Sequence, residues 1–273
     1  MWQKYNLDSN VARRLYMEDG RASAQDDTYF YKYSPAYLSS NENVDEIINY
    51  LLPRGKSVLS VVGGGDMPLI LSAYGARFVD TFDISINAYL VLRLKMHMLQ
   101  NNIDKERYEC VLNNLSEERA FTKSWAWEFV YDAFQDDKDI MKYLYDMDGC
   151  TIWGNVPGNP YWKMGNFQYD AIKYSLPKSY NFIWSDLYNL PPKLNGKKYD
   201  IIYLSNILQY AKDDDVILDT VNKLRPHINK KGTIVLDTLN PMYCDEYEFL
   251  NDKLNWAKTD YSEIAGAVFL RTR

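Results

Sequence analysis

The chain has 273 residues, a formal net charge of −6 and a pI near 5.1, with acidic and basic residues interspersed along its length. That balance argues against a nucleic-acid binder, which gathers lysine and arginine on one face, and no stretch approaches the ~18 apolar residues that a membrane span needs. The length suits one large α/β domain, or one domain with a sizeable insertion.

Three cysteines, Cys110, Cys150 and Cys244, are far apart and odd in number. They match no zinc spacing and no disulfide framework, so free thiols in a reducing compartment are expected. The two histidines, His97 and His227, belong to no metal-ligand constellation. The opening MWQKYNLDSN lacks a basic-then-apolar leader, and the expectation is a cytoplasmic chain. Twenty-four tyrosines and seven tryptophans are more than a core absorbs. Aromatic residues must therefore line clefts or an interface, which a second copy of the chain in a homo-oligomer would suit.

In chain order, residues 1–28 are polar and mixed, with a short helical pattern around Val11, Leu15 and Tyr16. The run Tyr29–Ser40, YFYKYSPAYLSS, is dense in tyrosine and broken by Pro35. Asn41 or Asn43 can cap a helix through Val44, Ile47, Ile48, Leu51 and Leu52, which Pro53 and Gly55 end. An apolar strand, Val58 to Val62, then enters three glycines, Gly63, Gly64 and Gly65. Asp66 follows, and a helix with Pro68 in its first turn runs to Gly75. A second strand through Phe78, Val79 and Phe82 closes on Asp83, and Ser85 can cap a long helix from Ile86 to about Gln100.

From Asn101 to Ser179 about 80 residues separate that helix from the next strand, where a compact α/β unit uses a short loop. Helical pieces are expected at Glu117–Phe134, Asp139–Met147 and Tyr169–Tyr174. Gly149–Asn166, rich in Gly, Pro, Asn and Trp, reads as a loop bordering an acceptor site. Its Asn159-Pro160-Tyr161-Trp162 looks like the amino-DNA methyltransferase tetrapeptide, but it lacks the second proline and precedes the expected fourth strand, so it reads as a turn. The regular pattern resumes with a strand Tyr180–Trp184 ending at Ser185, Asp186 and Leu187. A strand Ile201–Leu204 follows, ending at Ser205 and Asn206, and then a helix that Asp213–Asp215 begin. Lys231-Gly232 turns into a strand Thr233–Leu239, and Leu254–Thr259 and Ala267–Thr272 supply two more.

The unit Ser57–Leu94 is a strand–turn–helix–strand with a carboxylate at the tip of its second strand, a pattern that holds a nucleoside-bearing ligand. A dinucleotide fingerprint needs a third glycine where Pro68 stands, and a P-loop needs a lysine that is absent. Each residue also has a purely structural reading. Asp66 can serve as a helix N-cap, Gly75 as a C-cap, and strand and turn chemistry accounts for the glycines without a ligand.

What remains resembles motif I and the acidic second-strand end of the S-adenosylmethionine (SAM) dependent methyltransferase superfamily. The run NFIWSDLYNLP…KKYDIIYLSNILQY…LRPHINKKGTIVLDT is similar to the later strands of that superfamily, so the resemblance covers residues 57–100 and 180–273. It implies an α/β, Rossmann-like, seven-stranded, mostly parallel sheet with its last strand antiparallel, and a helical insertion after the second strand–helix unit. Residues 1–56 would then be a helical lid segment, with Tyr29, Tyr31, Tyr33 and Tyr37 as lid or acceptor wall, and 101–179 an aromatic-rich cap. By position, Asp83, followed by Ile84 and Ser85, would bind the ribose hydroxyls, and Asp186 with Leu187 the adenine. Gly63, Gly64, Gly65 and Asp66 would lie at the methionine portion, and Ser205 and Asn206 would face the sulfonium. The family's usual acid ahead of the glycines is Ser60 or Val61 here, and Asp66 takes the place of a common glycine.

GGDMPLIL and DISINAYLVLRLKMHML also look like blocks of the betaine-lipid aminocarboxypropyl transferases, which move the amino-acid side chain of SAM. That family's Asn and Gln are replaced here by Ser85 and by Ala88 or Tyr89. Sulfonium chemistry needs in-line positioning more than a base. Asp66, Asn206 and Tyr210 are the candidate catalytic groups, with Asp66 alternatively binding the methionine ammonium. The expected function is methyl transfer from SAM to a small molecule of unknown identity, without metal. Aminocarboxypropyl transfer and a non-catalytic interaction protein stand as the alternatives.

Overall fold

Strands that read as continuous apolar runs belong to sheets covered on both faces, and β2 below is buried at every residue. A computed structural model describes residues 5–17, 32–40, 42–117, 120–154, 165–211, 213–237, 247, 249–262 and 266–273. The elements run α1 (Ser9–Met17), β1 (Ala36–Tyr37), α2 (Val44–Leu51), β2 (Ser57–Val61), α3 (Asp66–Ala73), β3 (Phe78–Asp83) and α4 (Ile86–Gln100). Next come α5 (Lys105–Glu117), α6 (Trp127–Phe134), α7 (Lys138–Asp146), β4 (Trp153–Gly154) and α8 (Asn166–Ser175). The chain then returns through β5 (Asn181–Trp184), α9 (Leu190–Lys193), β6 (Tyr199–Tyr203) and α10 (Asp214–Leu224). It closes with β7 (Ile228–Asp237), α11 (Phe249–Lys253), β8 (Ala257–Ser262) and β9 (Ala267–Thr272).

The seven-stranded sheet has the order β5-β3-β2-β6-β7-β9-β8. From β5 to β7 neighbours are parallel, and β9 runs antiparallel between β7 and β8. This is the expected α/β, Rossmann-like class. The chain walks outward from β2 to β3 and β5, then returns to place β6 on the other side of β2. That reversal makes the carboxyl ends of β2 and β6 a topological switch point, where open α/β sheets bind ligands.

Helices α3 and α4 are buried almost all round. A helix apolar on every face needs cover on every face, and here α8 packs on α3 while α6 packs on α4. β1 and β4 form a separate parallel pair, Ala36 beside Trp153 and Tyr37 beside Gly154, which ties the segment ahead of β2 to residues of the 101–179 stretch.

Several expectations need correction. The helix expected from Glu117 is a 3-10 turn, Phe121–Lys123, followed by α6 starting at Trp127. An unforeseen helix, α5, precedes it: Asp104 accepts from Arg107 N at 2.8 Å at its start, and Tyr108, Val111, Leu112 and Leu115 are buried at helical spacing. Lys231-Gly232 is no turn before β7 but a kink inside it, with Lys231 at φ 65 and a register shift opposite Tyr199 and Ile201. A Cβ at Gly232 would lie 2.7 Å from the Ile228 side chain, so only glycine fits the kink. Tyr29, Tyr31, Asn41, the Asn159–Trp162 tetrapeptide and Cys244 fall outside the described residues, and of Tyr210 only the backbone, in the turn Ile207–Tyr210, is described.

Candidate active site

The turn after β2 gives its three glycines different tasks. Gly63, at φ 52, faces open space, with nothing within 4 Å of where a Cβ would stand. Gly64 lies against another backbone: a Cβ there would sit 2.7 Å from the carbonyl carbon of Ser39. Gly65, at φ 84, takes the left-handed N-cap position of α3 and backs onto Leu92 of α4. Of the three glycines placed at a ligand from the sequence, only Gly63 is open to one. The other two let the 39–40 segment and α4 come close.

Asp83 ends β3 beside this turn and is 8% exposed. Its Oδ2 accepts from Gly63 N at 3.0 Å and its Oδ1 from Ser85 N at 2.9 Å. Burial raises its pKa to about 6, against the pull of the Ser85, Gly63 and Ile84 N–H groups. Ser85 caps α4 by accepting from Asn87 N and donates to the Ser34 carbonyl at 2.7 Å. Ile84 is half-buried, and its carbonyl takes the Trp184 indole N–H at 2.7 Å. Ser185 N donates to the Asp83 carbonyl at 3.0 Å, and the buried Ser185 Oγ has no hydrogen-bond partner. Gly63, Asp83 and Ser185 thus share one edge across β2, β3 and β5.

Asp186 lies next to that group, half-buried, with its carboxylate turned to local work. Oδ1 accepts from Asn189 N at 2.9 Å and Oδ2 from Asn189 Nδ2 at 2.8 Å, which holds the turn into α9. Leu187 is buried.

Asp66 is buried and already paired with a cation, which leaves it unsuited to act as a base or to take a second ammonium. Oδ1 takes the Lys95 ammonium at 2.5 Å and Oδ2 takes Ser40 N at 2.7 Å, with both charged side chains buried. It is the first helical residue and not the N-cap. Lys95 also donates to the Gly64 carbonyl at 2.7 Å. Burial lowers the Lys95 pKa while Asp66 pushes it back up. The ion pair therefore locks the glycine turn onto α4.

At the tip of β6, Ser205 adopts φ 56, a left-handed conformation costly for a residue with a Cβ. Its Oγ donates to Glu42 Oε1 and contacts Asn206 Oδ1 at 3.2 Å. Glu42 is 5% exposed and accepts from Ser40 Oγ at 2.9 Å. Nothing in the sequence reading singled out Glu42 or Lys95. The signals were there, a lone lysine in the apolar helix LRLKMHML and an acid one residue before a helix cap. Of the tyrosines ahead of β2, Tyr33 is packing: it is buried, stacks on Tyr143 and accepts from Asp8 N at 2.9 Å. Tyr37 is exposed. The 33–42 segment runs along the strand tips, held at Ser34 by Ser85 and Asn87 and at Ser40 by Asp66.

An open groove follows the free edge of β5, lined by Tyr5, Phe182, Trp184, Lys193 and Lys197, and lies beside that strand rather than over the glycine turn. No helix of the described residues is long and apolar enough to cross a membrane, and they hold no cluster of His, Cys, Asp and Glu fit for a metal.

No family model matches the chain, and no curated protein matches it. Among solved structures it is similar to magnesium protoporphyrin IX methyltransferase from Synechocystis with bound SAM, at 14% identity and a TM-score of 0.41 over 99% of this chain and 100% of that one. It is similar to the rRNA methyltransferase aviRa from Streptomyces viridochromogenes at 11% identity and a TM-score of 0.43, over 98% and 94% of the two chains. A third likeness is to the N-methyltransferase NodS from Bradyrhizobium japonicum with S-adenosylhomocysteine, at 9% identity and a TM-score of 0.40, over 85% and 88%. What this edge can do follows from its own atoms.

Proposed function

We propose that the edge formed by Gly63, Asp83 and Ser185 binds the adenosyl part of SAM, and that the chain is a SAM-dependent transferase moving a methyl group to a small molecule. The observation that carries this reading is Asp83. A carboxylate is kept in a nearly dry site, its oxygens holding the Gly63 and Ser85 N–H groups and keeping further acceptor capacity. Two such oxygens, side by side at a strand tip, suit the vicinal hydroxyls of a ribose. The open backbone of Gly63 beside them lets a bulky nucleoside approach. The unpaired Ser185 hydroxyl offers a further polar contact on the β5 side.

SAM, when bound, supplies an activated leaving group; this chain's residues have only to hold it, align the acceptor and exclude water. With Asp66 tied to Lys95, no base is assigned to it. Asn206 sits beside Ser205 at the tip of β6 and would face the acceptor. We take residues 57–100 and 180–273 as the SAM-binding body, 1–56 as a lid segment and 101–179 as the cap over the acceptor. The Ala36–Tyr37 and Trp153–Gly154 pairing supports lid and cap moving as one.

The test is incubation with SAM and a small-molecule metabolite extract, followed by mass spectrometry of the by-product. S-adenosylhomocysteine is expected. Methylthioadenosine would transfer the assignment to aminocarboxypropyl chemistry, and no by-product together with a flat thermal-shift response to SAM would overturn the enzymatic reading.

A further inference from the structure

Where β2 and β6 part, the chain buries two carboxylates and one ammonium: Asp66, Glu42 and Lys95 are 3%, 5% and 1% exposed. With both acids ionised, Lys95 balances only one of them. Lys95 is taken up by Asp66 and the Gly64 carbonyl. Glu42 holds only neutral donors, the hydroxyls of Ser40 and Ser205, and among the described residues it forms no ion pair. A carboxylate out of water without a counter-charge costs several kcal/mol, so a protein keeps one only where a proton or a cation completes it. The Tyr203 hydroxyl on β6 is fully buried and forms no hydrogen bond of normal distance and angle, and the charge that acts on it most is the same Glu42 carboxylate. Buried orphans of this kind call for a missing group.

A proton satisfies the carboxylate but adds no donor for the Tyr203 oxygen, whereas a cationic N–H donor serves both. If the adenosyl part lies on Asp83 and Ser185, over β3 and β5, the other end of the ligand runs past Gly63 toward β6. That end carries an α-amino acid, whose ammonium has three N–H donors and one positive charge. We propose that Glu42 and Tyr203 form the seat of the α-ammonium group of SAM. The proposal rests on the reading of this edge as a SAM site, and it supplies the acid that the chain lacks ahead of its glycines. Glu42 would contribute the charge and Tyr203 Oη a second acceptor, with the ligand supplying the counter-charge that Glu42 lacks. The electrostatics agree with this placement. Burial raises the Glu42 pKa, hydrogen-bonding hydroxyls, Ser205 first, lower it, and the nearby Asp66 charge raises it again. Tyr203 is in turn raised by its burial and by Glu42 and Asp237.

Calorimetric titration with two ligands isolates the seat. S-adenosylhomocysteine carries the α-amino acid; methylthioadenosine carries the same adenosyl group without it. Glu42→Gln keeps the shape and the hydroxyl contacts but removes the charge. It should weaken S-adenosylhomocysteine about tenfold or more and leave methylthioadenosine within about twofold. Tyr203→Phe should cost the first ligand a few-fold and the second nothing. Equal losses for both ligands, or none for either, would overturn the assignment. A second measurement needs only the wild-type chain: the ratio of the two affinities followed from about pH 5 to about pH 8. Asp83 titrates equally in both complexes and cancels, so the ratio should move toward S-adenosylhomocysteine as Glu42 ionises. A flat ratio contradicts the proposal even if the variant does not fold. If neither ligand binds the wild type, the SAM reading itself has failed.

Discussion

Replacing Asp83 by Asn should make the empty protein more stable at neutral pH while removing its ligand. Burial lifts the Asp83 pKa from an ordinary 3.8 to about 6. A group whose folded pKa is raised contributes stability that is fully present below the unfolded value and is lost as pH climbs through the folded one. Between pH 3.8 and about 6 the folded state is the one that binds the extra proton, so unfolding becomes easier as pH rises across that window. At about 1.4 kcal/mol per pH unit the gap corresponds to about 3 kcal/mol of strain carried above pH 6. Asn removes the charge, yet its amide nitrogen cannot accept from one of the two N–H donors, Gly63 or Ser85, which costs about 1 kcal/mol or more. The net expectation is a gain of about 1–2 kcal/mol at pH 8, shrinking to nothing or a loss near pH 4. Urea unfolding of both proteins across this pH range reads it directly. If Asp83→Asn is less stable than wild type at pH 8, or if the difference does not change with pH, the carboxylate is not held against its own desolvation and the reasoning fails.

Other consequences are as concrete. Lys95→Met leaves Asp66 buried without its cation and should cost about 3–5 kcal/mol in urea unfolding, most of it recovered when Asp66→Leu is added; a loss under about 1 kcal/mol would mean the pair is solvated. Gly63→Ala should cost only about 1 kcal/mol of stability, since its φ of 52 is its sole burden. It should nonetheless reduce S-adenosylhomocysteine affinity, because it faces the open side of the turn. Gly64→Ala, whose Cβ would strike the Ser39 backbone at 2.7 Å, should damage folding more than Gly63→Ala; a reversed order would show the 39–40 segment to be displaced from the turn. Ser185→Ala should be neutral or slightly stabilising without ligand, since its buried hydroxyl has no partner, and should weaken adenosyl ligands; unchanged affinity would remove Ser185 from the site.

Much of the frame was readable from residue order. The apolar run into Gly63, the closing Asp83, the Ser85 cap and the returning YDIIY and GTIVLD strands each follow from local chemistry, and together they imply a parallel sheet with a switch point. The site was only half readable, because motif position says which strand tip a residue occupies and nothing about what it already holds. Asp66 stands where a ligand-facing acid would, yet tertiary packing brings Lys95 to it from 29 positions away. Asp186 is at the right tip, with each oxygen holding an N–H group of Asn189. Glu42 was passed over because its meaning comes from Ser205, 163 positions later. The α5 helix was missed for a different reason: its mean polarity masked an apolar stripe of Tyr108, Val111, Leu112 and Leu115 that spacing alone reveals.

The central claim is that the tip of β3 seats a ribose on Asp83. Calorimetric titration of S-adenosylhomocysteine into wild type and Asp83→Ala tests it most directly. Saturable binding to the wild type, weakened about tenfold or more in the variant, is the result this account predicts. Equal affinity in the two proteins, or no heat and no thermal stabilisation in the wild type, would contradict it.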